Sequence, residues 1–203
     1  ATESFDPTPG RYDGRIGVSA LPHRMTVTAL ETLGRCPLQF FFRHVLRVEP
    51  PRTPPTPFEA DVAATGSRVH DALREVYARL SDEGAFAGDG VGARIERARA
   101  MLREAWNAAA GEDEAGRAAH FPVLLRIEDG QWLTTLGAFL DVDLRRLQGS
   151  GLVPEALERD ASGTLPGGPP GLLIRARFDR LLRGPDGPVV SDYKTGGKLK
   201  DRA

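Results

Sequence analysis

The sequence predicts a mixed α/β domain, with a helical N-terminal half followed by a short, mostly antiparallel sheet. Apolar residues recur every three or four positions in four segments before residue 148, which is the spacing of amphipathic helices. After Gly149-Ser150-Gly151 the pattern changes to short strands separated by turn residues. With 203 residues, of which 40% are hydrophobic, the chain is long enough to bury a sizeable core.

The N-terminal elements follow from these patterns. Residues 1–25 are rich in Pro, Gly and Asp, so we interpret them as an extended segment before a domain that spans 26–203. A helix is predicted over 26–45, with a capping box from Thr28 to Glu31 and a break between Gly34 and Pro37. The proline-rich stretch 49–57 predicts an extended connector.

The remaining elements are three helices and three strands. The helices are predicted over 66–80, 92–110 and 131–147, and the strands over 152–159, 172–183 and 188–194. Gly184-Pro-Asp-Gly187 is a turn sequence and joins the last two strands into a hairpin.

The hairpin brings two carboxylates together. With the turn centred between Pro185 and Asp186, antiparallel partners have numbers that add to 371, so Asp179 lies opposite Asp192. Alternation places Lys194 on the face of Asp192 and Arg177 on the face of Asp179. Two like charges about 5 Å apart are destabilising unless a cation lies between them, and oxygen ligands suit a divalent ion such as Mg²⁺.

A plainer interpretation of the same residues stays open. Arg177 and Lys194 would then form ordinary ion pairs with Asp179 and Asp192 on a solvated sheet face. The register would also shift by a residue if the loop had another length.

Charge and apolar patterning exclude several classes of protein. The net charge of -1 does not by itself predict a nucleic-acid or membrane-surface protein, and no apolar run is long enough to span a bilayer. The first residues lack a secretory signal and Cys36 is the single cysteine, so a cytoplasmic location without a membrane partner is expected. All three lysines lie in the last ten positions of an arginine-rich chain, which draws attention to Lys194.

Several motifs resemble a known family. The residues from Arg177-Phe-Asp179-Arg180 to Asp192-Tyr-Lys194-Thr-Gly are similar to the "G-x-I-D-R... D-Y-K-T-G" signature of RecB-like and AddB-like nuclease domains in the PD-(D/E)XK superfamily. Gly66-Ser-Arg-Val-His70 resembles the family's "G-x-x-x-H" helix motif, and Leu30–Phe42 resembles its "L-x-x-y-x-x-C-P-x-x-f" segment. The resemblance covers residues 26–200 and implies a restriction-endonuclease-like core.

The resemblance implies a DNA nuclease that depends on Mg²⁺ or Mn²⁺. It makes His70, Asp179, Asp192 and the backbone carbonyl of Tyr193 metal ligands, and Lys194 the catalytic lysine. Asp179 and Asp192 would thereby be catalytic as well, because they hold the ion that acts on the scissile phosphate.

Two of these positions have alternatives. His70 taken alone is more often a helix-flanking or core histidine than a ligand. Glu158 falls where the family often has a glutamate on the preceding strand, but a surface carboxylate fits the sequence equally well, so Glu158 is not assigned as a ligand.

The chain also departs from the family pattern. Ala176 stands near where the family has a glycine, and Leu182 stands where it has a second acidic residue. Relatives continue with a helix bearing "Q-x-x-x-Y", so a chain truncated at its C-terminus is expected. Cys36 resembles the first ligand of the iron–sulfur subgroup's 4Fe–4S cluster, which needs about four thiolates; otherwise Cys36 is a small apolar residue.

Three functions are compatible with these residues. The first is a nuclease, with exonuclease action expected, of the kind found in helicase–nuclease systems that resect and repair DNA ends, with DNA and a helicase domain or subunit as partners. The second is a catalytically inactive DNA-binding or structural module of the same fold that docks a helicase. The third is a protein-interaction domain. The intact set of His70, Asp179, Asp192 and Lys194 favours the enzyme.

Overall fold

A computed structural model describes residues 23–49, 51, 61–88, 90–111, 120–168 and 170–194. Most of the predicted N-terminal segment and of the proline-rich connector lies outside these residues. Contacts divide the chain into two compact units: the first comprises Ala1–Arg52 and Ala161–Ala176, and the second comprises Thr53–Asp160 and Arg177–Ala203.

Helices and strands occur in the predicted order. The strands are β1 (Arg24–Thr26), β2 (Val153–Thr164), β3 (Leu173–Gly184) and β4 (Gly187–Ser191). The helices are α1 (Val27–Arg35), α2 (Pro37–Phe40) with a π-helical turn at Phe41–Val45, α3 (Val62–Asp82), α4 (Ala85–Gly88), α5 (Val91–Ala108) and α6 (Pro122–Gly149). This mixed α/β architecture confirms the predicted fold class.

The sheet has four strands in the order β1-β3-β2, with β4 also paired to β3. β1 runs parallel to β3, with Met25 opposite Ile174, whereas β4 runs antiparallel to it. The sequence did not predict β1, because three residues are too few to show a period and their pairing depends on a strand some 150 residues away.

The first unit is built around the helix break that the sequence predicted. α1 ends at Arg35 and α2 begins at Pro37, so the break falls at Cys36. The predicted capping box at Thr28 is wrong: Thr26 caps α1, and its hydroxyl accepts a 3.1 Å hydrogen bond from the N–H of Ala29. A small apolar cluster of Met25, Ala29 and Phe40 lies under these helices.

The second unit contains the larger core. α5 packs against both α3 and α6, and these helices together with β3 bury a continuous apolar cluster. Its completely or almost completely buried side chains include Leu73, Val76, Tyr77, Leu80, Trp106, Leu140, Leu144, Leu147 and Leu182. None of the helices within the described residues is long and apolar enough to cross a membrane.

A buried arginine joins the three long helices. Arg68 on α3 donates to the carbonyl of Trp106 on α5 at 3.0 Å and to Asp129 on α6 at 2.9 Å. Its guanidinium also lies 3.9 Å from the centre of the Trp106 ring, and the indole N–H donates to Asp129 at 2.7 Å. Because Arg68 precedes His70 by two residues, this network fixes the part of α3 that carries His70.

Candidate active site

The site residues come from four elements of the second unit. α3 supplies His70, β2 supplies Glu158 and β3 supplies Asp179. Asp192, Tyr193 and Lys194 directly follow the last residue of β4, Ser191.

The hairpin has the register that the sequence predicts. Arg180 pairs with Ser191 and Gly184 with Gly187, and both pairs of numbers add to 371. The loop is therefore two residues long, Pro185 and Asp186, and Gly187 adopts φ 117°, a value that favours glycine. This register brings Asp179 and the segment after β4 to the same end of the hairpin.

Three side chains form a compact cluster with the composition of a metal site. His70 Nδ1 lies 3.3 Å from Asp179 Oδ1 and 3.6 Å from Glu158 Oε1. One ligand atom from each residue lies within 4.8 Å of the other two. An imidazole nitrogen and two carboxylates at these separations can converge on one divalent cation.

Glu158 is the residue that sequence reasoning left unassigned. Its backbone has φ 48°, a left-handed conformation in the middle of β2 that is strained for a residue with a Cβ. One carboxylate oxygen faces His70, and the other accepts a 2.7 Å hydrogen bond from Arg177 Nε. The carboxylate faces the cluster from an irregular point of β2, and strand alternation alone does not reveal such an irregularity.

Asp179 is the most buried carboxylate of the cluster, with 8% of its surface exposed. Its Oδ2 accepts a 2.6 Å hydrogen bond from the backbone N–H of Tyr193, which leaves Oδ1 directed to His70. Burial raises the pKa of Asp179 above its ordinary value, and the neighbouring Asp192 raises it further against the opposing effects of Tyr193 N–H and His70. A carboxyl in this condition is stabilised as an anion by a bound cation.

Asp192 interacts with both Asp179 and Lys194. Burial favours its neutral form, but hydrogen bonds with Lys194 and Asp179 hold the pKa of Asp192 below its ordinary value. Lys194 forms an ion pair with Asp192 and its side chain is 76% exposed, so its ammonium group is accessible to a substrate. Asp192 is not among the three residues of the compact cluster; it adjoins them through Asp179.

The side chain of Tyr193 is buried beside the cluster. Its ring meets the His70 ring edge-on, with centroids 5.7 Å apart, and meets Phe139 with the same separation. The predicted role of its backbone carbonyl as a ligand stays a prediction, as does the ligand role of each other site residue.

A cavity of about 690 Å³ opens next to Asp192 and Lys194. Aromatic side chains, including Trp132 and Phe139, and charged side chains of both signs, including Arg146 and Asp143, lie along its wall. The cavity thus adjoins the segment after β4, and its wall combines apolar and charged side chains.

Comparison with protein families decides the classification. A family model described as the PD-(D/E)XK nuclease superfamily matches residues 24–203. The chain belongs to this superfamily. The sheet with flanking helices is accordingly its restriction-endonuclease-like fold. A comparison with curated proteins finds no significant match.

Membership in the PD-(D/E)XK superfamily supports nuclease chemistry, and the donor set fits the divalent metal that such nucleases typically use. Asp179 and Glu158 offer hard oxygen ligands, and His70 offers a nitrogen. Carboxylates this close repel one another unless a positive charge lies among them. Arg177 pairs with Glu158 and Lys194 pairs with Asp192, while His70 lies against both Glu158 and Asp179.

Cys36 lies in the first unit, where it terminates α1 and caps α2. Its sulfur accepts a 3.5 Å hydrogen bond from the N–H of Gln39, and its side chain is half-buried. This local role explains a cysteine at the helix break without an iron–sulfur cluster. A cluster ligated by Cys36 stays a prediction that requires thiolates from elsewhere.

Proposed function

We propose that this protein is a divalent-metal-dependent deoxyribonuclease that hydrolyses phosphodiester bonds as an exonuclease. The observation that carries the proposal is the convergence of His70, Glu158 and Asp179 next to Asp192 and Lys194 in a chain of the PD-(D/E)XK superfamily. These residue types can supply metal ligands and a group that stabilises developing charge, and the fold assembles them from four separate elements.

In this proposal His70, Glu158, Asp179, Asp192 and the Tyr193 carbonyl hold the metal. The bound Mg²⁺ or Mn²⁺ supplies a water molecule of lowered pKa and neutralises charge that develops on the phosphate. Glu158 requires its strained backbone for this role, because the left-handed conformation aims its carboxylate at His70.

Lys194 has the second chemical role. Its ammonium group, which is paired with Asp192 and largely exposed, orients the attacking water or stabilises the charge that develops in the transition state. Lys194 also lines the cavity, so its amine is accessible from there. Lys194 is therefore the residue that we propose touches the reacting groups directly.

DNA as substrate, and a helicase domain or subunit as partner in end resection and repair, are the finer parts of the proposal. They rest on the similarity of Arg177-Phe-Asp179-Arg180 and Asp192-Tyr-Lys194 to the RecB-like and AddB-like signature. The alternative is an inactive module of the same fold that binds DNA or docks a helicase. Retention of every residue of the proposed catalytic set favours the enzyme, because an inactive module has no need of it.

The experiment is degradation of end-labelled linear DNA with Mn²⁺, with Mg²⁺ and with EDTA. The wild-type chain is compared with Asp179→Asn, and with Asp82→Asn as a matched control at an exposed position. The proposal expects cleavage with either metal by the wild type and the control, and none by Asp179→Asn or with EDTA. Equal cleavage by Asp179→Asn would contradict it, and DNA binding without cleavage by the wild type would favour the inactive module.

A further inference from the structure

A buried ion pair lies immediately beside the proposed metal centre. Arg180, the residue after Asp179 in β3, is completely buried and donates to Asp143 Oδ2 at 2.7 Å and to Oδ1 at 3.1 Å. Asp143 belongs to α6, where it is 5% exposed. It also accepts hydrogen bonds from Tyr77 Oη at 2.5 Å and from Arg146. A bidentate arginine–carboxylate pair constrains the orientation of both groups, so it holds the guanidinium in place.

The guanidinium of Arg180 lies close to two aromatic rings. Its Cζ is 4.6 Å from the centre of the Tyr77 ring and 5.3 Å from the centre of the Tyr193 ring. Both distances are within the range of cation–π attraction, which is stronger where water is excluded. Arg180 thus connects the ion pair with Asp143 to the side chain of Tyr193.

Tyr193 contacts two of the proposed metal ligands, His70 on α3 and Asp179 on β3. Its ring lies edge-on against His70, and its backbone N–H donates the 2.6 Å hydrogen bond to Asp179. Its hydroxyl is buried and has no hydrogen-bond partner within the part of the chain that the structure describes. The ring is therefore held by its faces and edges, against Arg180, Phe139 and His70, rather than by its hydroxyl.

We propose that Asp143 and Arg180 are positioning residues for the metal centre and that they act through the ring of Tyr193. The ion pair holds the guanidinium, the guanidinium holds the ring, and the ring sets the orientation of His70 and of the Tyr193 N–H that binds Asp179. This inference rests on the proposed function, because it assigns a role in holding the metal of that site. Asp143 and Arg180 act through Tyr193 in this scheme and are not ligands of the metal.

A matched pair of substitutions separates the ring from the hydroxyl. Tyr193→Phe keeps the ring and the backbone N–H, whereas Tyr193→Leu keeps only the N–H. Groups that orient metal ligands typically change metal affinity about 10-fold to 100-fold when they are removed. We expect Tyr193→Leu to raise the Kd for Mn²⁺ about 10-fold, and Tyr193→Phe to leave it within about twofold.

The Kd for Mn²⁺ is measured in the absence of DNA. Electron paramagnetic resonance detects the free Mn²⁺ that remains at each protein concentration. Asp143→Asn leaves the buried charge of Arg180 without its carboxylate partner, so circular dichroism checks its fold, and Asp143→Glu tests rescue by a carboxylate. A folded Asp143→Asn is expected to lose Mn²⁺ affinity about 10-fold, and Asp143→Glu to recover part of it. If Asp143→Asn does not fold, the Tyr193 pair still tests the ring through which Asp143 and Arg180 are proposed to act, and without a role for the ring the proposal fails.

The outcomes separate this inference from the proposed function. Equal Mn²⁺ affinity of Tyr193→Leu and Tyr193→Phe, with a wild type that binds Mn²⁺, would overturn the positioning role and leave the metal centre intact. A wild type that does not bind Mn²⁺ would overturn the metal centre, and with it this inference.

Discussion

The backbone N–H of Tyr193 donates a 2.6 Å hydrogen bond to the Asp179 carboxylate. The contact lies just beyond the last paired residues of the β3–β4 hairpin, Arg180 and Ser191. It connects the strand that carries one proposed ligand to the segment that carries Asp192 and Lys194. The position of that segment therefore depends on the hairpin register as well as on the side chains themselves.

The hairpin turn is the first point at which this dependence can be tested. Gly187 has φ 117°, so Gly187→Ala introduces a Cβ where an L residue is strained. We expect this substitution to lower the free energy of unfolding by about 1 kcal/mol or more and to weaken Mn²⁺ binding. Urea denaturation measures the first effect. Gly34→Ala, within α1 and with open space around the new Cβ, is the control and is expected to be neutral or stabilising by up to about 1 kcal/mol.

Much of this arrangement could be predicted from the sequence. The register was predicted by centring the turn on Pro185 and Asp186, and the structure has this register rather than the shifted one that another loop length would give. His70 Nδ1 lies 3.3 Å from Asp179 Oδ1, so the residues of two separate family motifs do lie together. Turn chemistry predicted the register, whereas the pairing of His70 with Asp179 was expected only from the resemblance to the family.

Other features have no local signal. α6 begins at Pro122, nine residues before the predicted start at Gln131. In this added part of the helix, Asp129 accepts hydrogen bonds from Arg68 and Trp106, which are 61 and 23 residues away in the sequence. The partnership of Asp143 with Arg180 is likewise invisible until the helices pack.

The strained backbone of Glu158 predicts that two substitutions at this position differ in stability but have the same effect on DNA cleavage. A residue with a Cβ at φ 48° costs about 1 kcal/mol or more relative to glycine. We therefore expect Glu158→Gly to be more stable than Glu158→Ala by about 1 kcal/mol, while both variants lose DNA cleavage because both lack the carboxylate. Thermal denaturation and the DNA degradation assay measure the two effects. Equal stability of the two variants would show that the backbone at this position is not strained.

The carboxylate of Glu158 is tested separately by Glu158→Gln. This change keeps the shape of the side chain but removes its charge, so we expect the Kd for Mn²⁺ to rise about 10-fold or more. Glu155→Gln, at an exposed position of the same strand, is the matched control and should bind Mn²⁺ as the wild type does. If Glu158→Gln binds Mn²⁺ as tightly as the wild type, Glu158 is a surface carboxylate and not a metal ligand.

Lys194 is expected to act in the chemical step. Lys194→Ala should lower kcat for DNA cleavage by a factor of about 100 or more and leave the affinity for DNA nearly unchanged, because one exposed phosphate contact contributes little to binding. Cleavage rates and fluorescence anisotropy with labelled DNA measure the two quantities. Loss of binding in place of loss of turnover would make Lys194 a phosphate clamp.

The Asp143–Arg180 pair predicts a pH dependence of stability. Burial raises the pKa of Asp143, but hydrogen bonds from Arg180 and Tyr77 lower it by more. The pKa of Asp143 therefore lies below its ordinary value. A carboxyl with a lowered pKa in the folded state contributes stability above its unfolded pKa of about 3.9 and loses it as the pH falls toward the folded value.

The difference in unfolding free energy between wild type and Asp143→Asn is therefore expected to be largest near pH 7 and to shrink below about pH 4. Urea denaturation from pH 7 to pH 3 measures this difference. The contributions of the other carboxylates cancel in it, because both proteins contain them. A difference that stays constant across this range would show that the aspartate contributes through packing rather than through its charge.

The most direct measurement is the anomalous scattering of Mn²⁺ in crystals of the wild-type protein grown with that ion. The proposed metal centre predicts one strong peak within about 2.0–2.5 Å of His70, Glu158 and Asp179 ligand atoms, and its disappearance in Asp179→Asn. A peak bound only elsewhere, or no peak at a Mn²⁺ concentration that supports DNA cleavage, would contradict it.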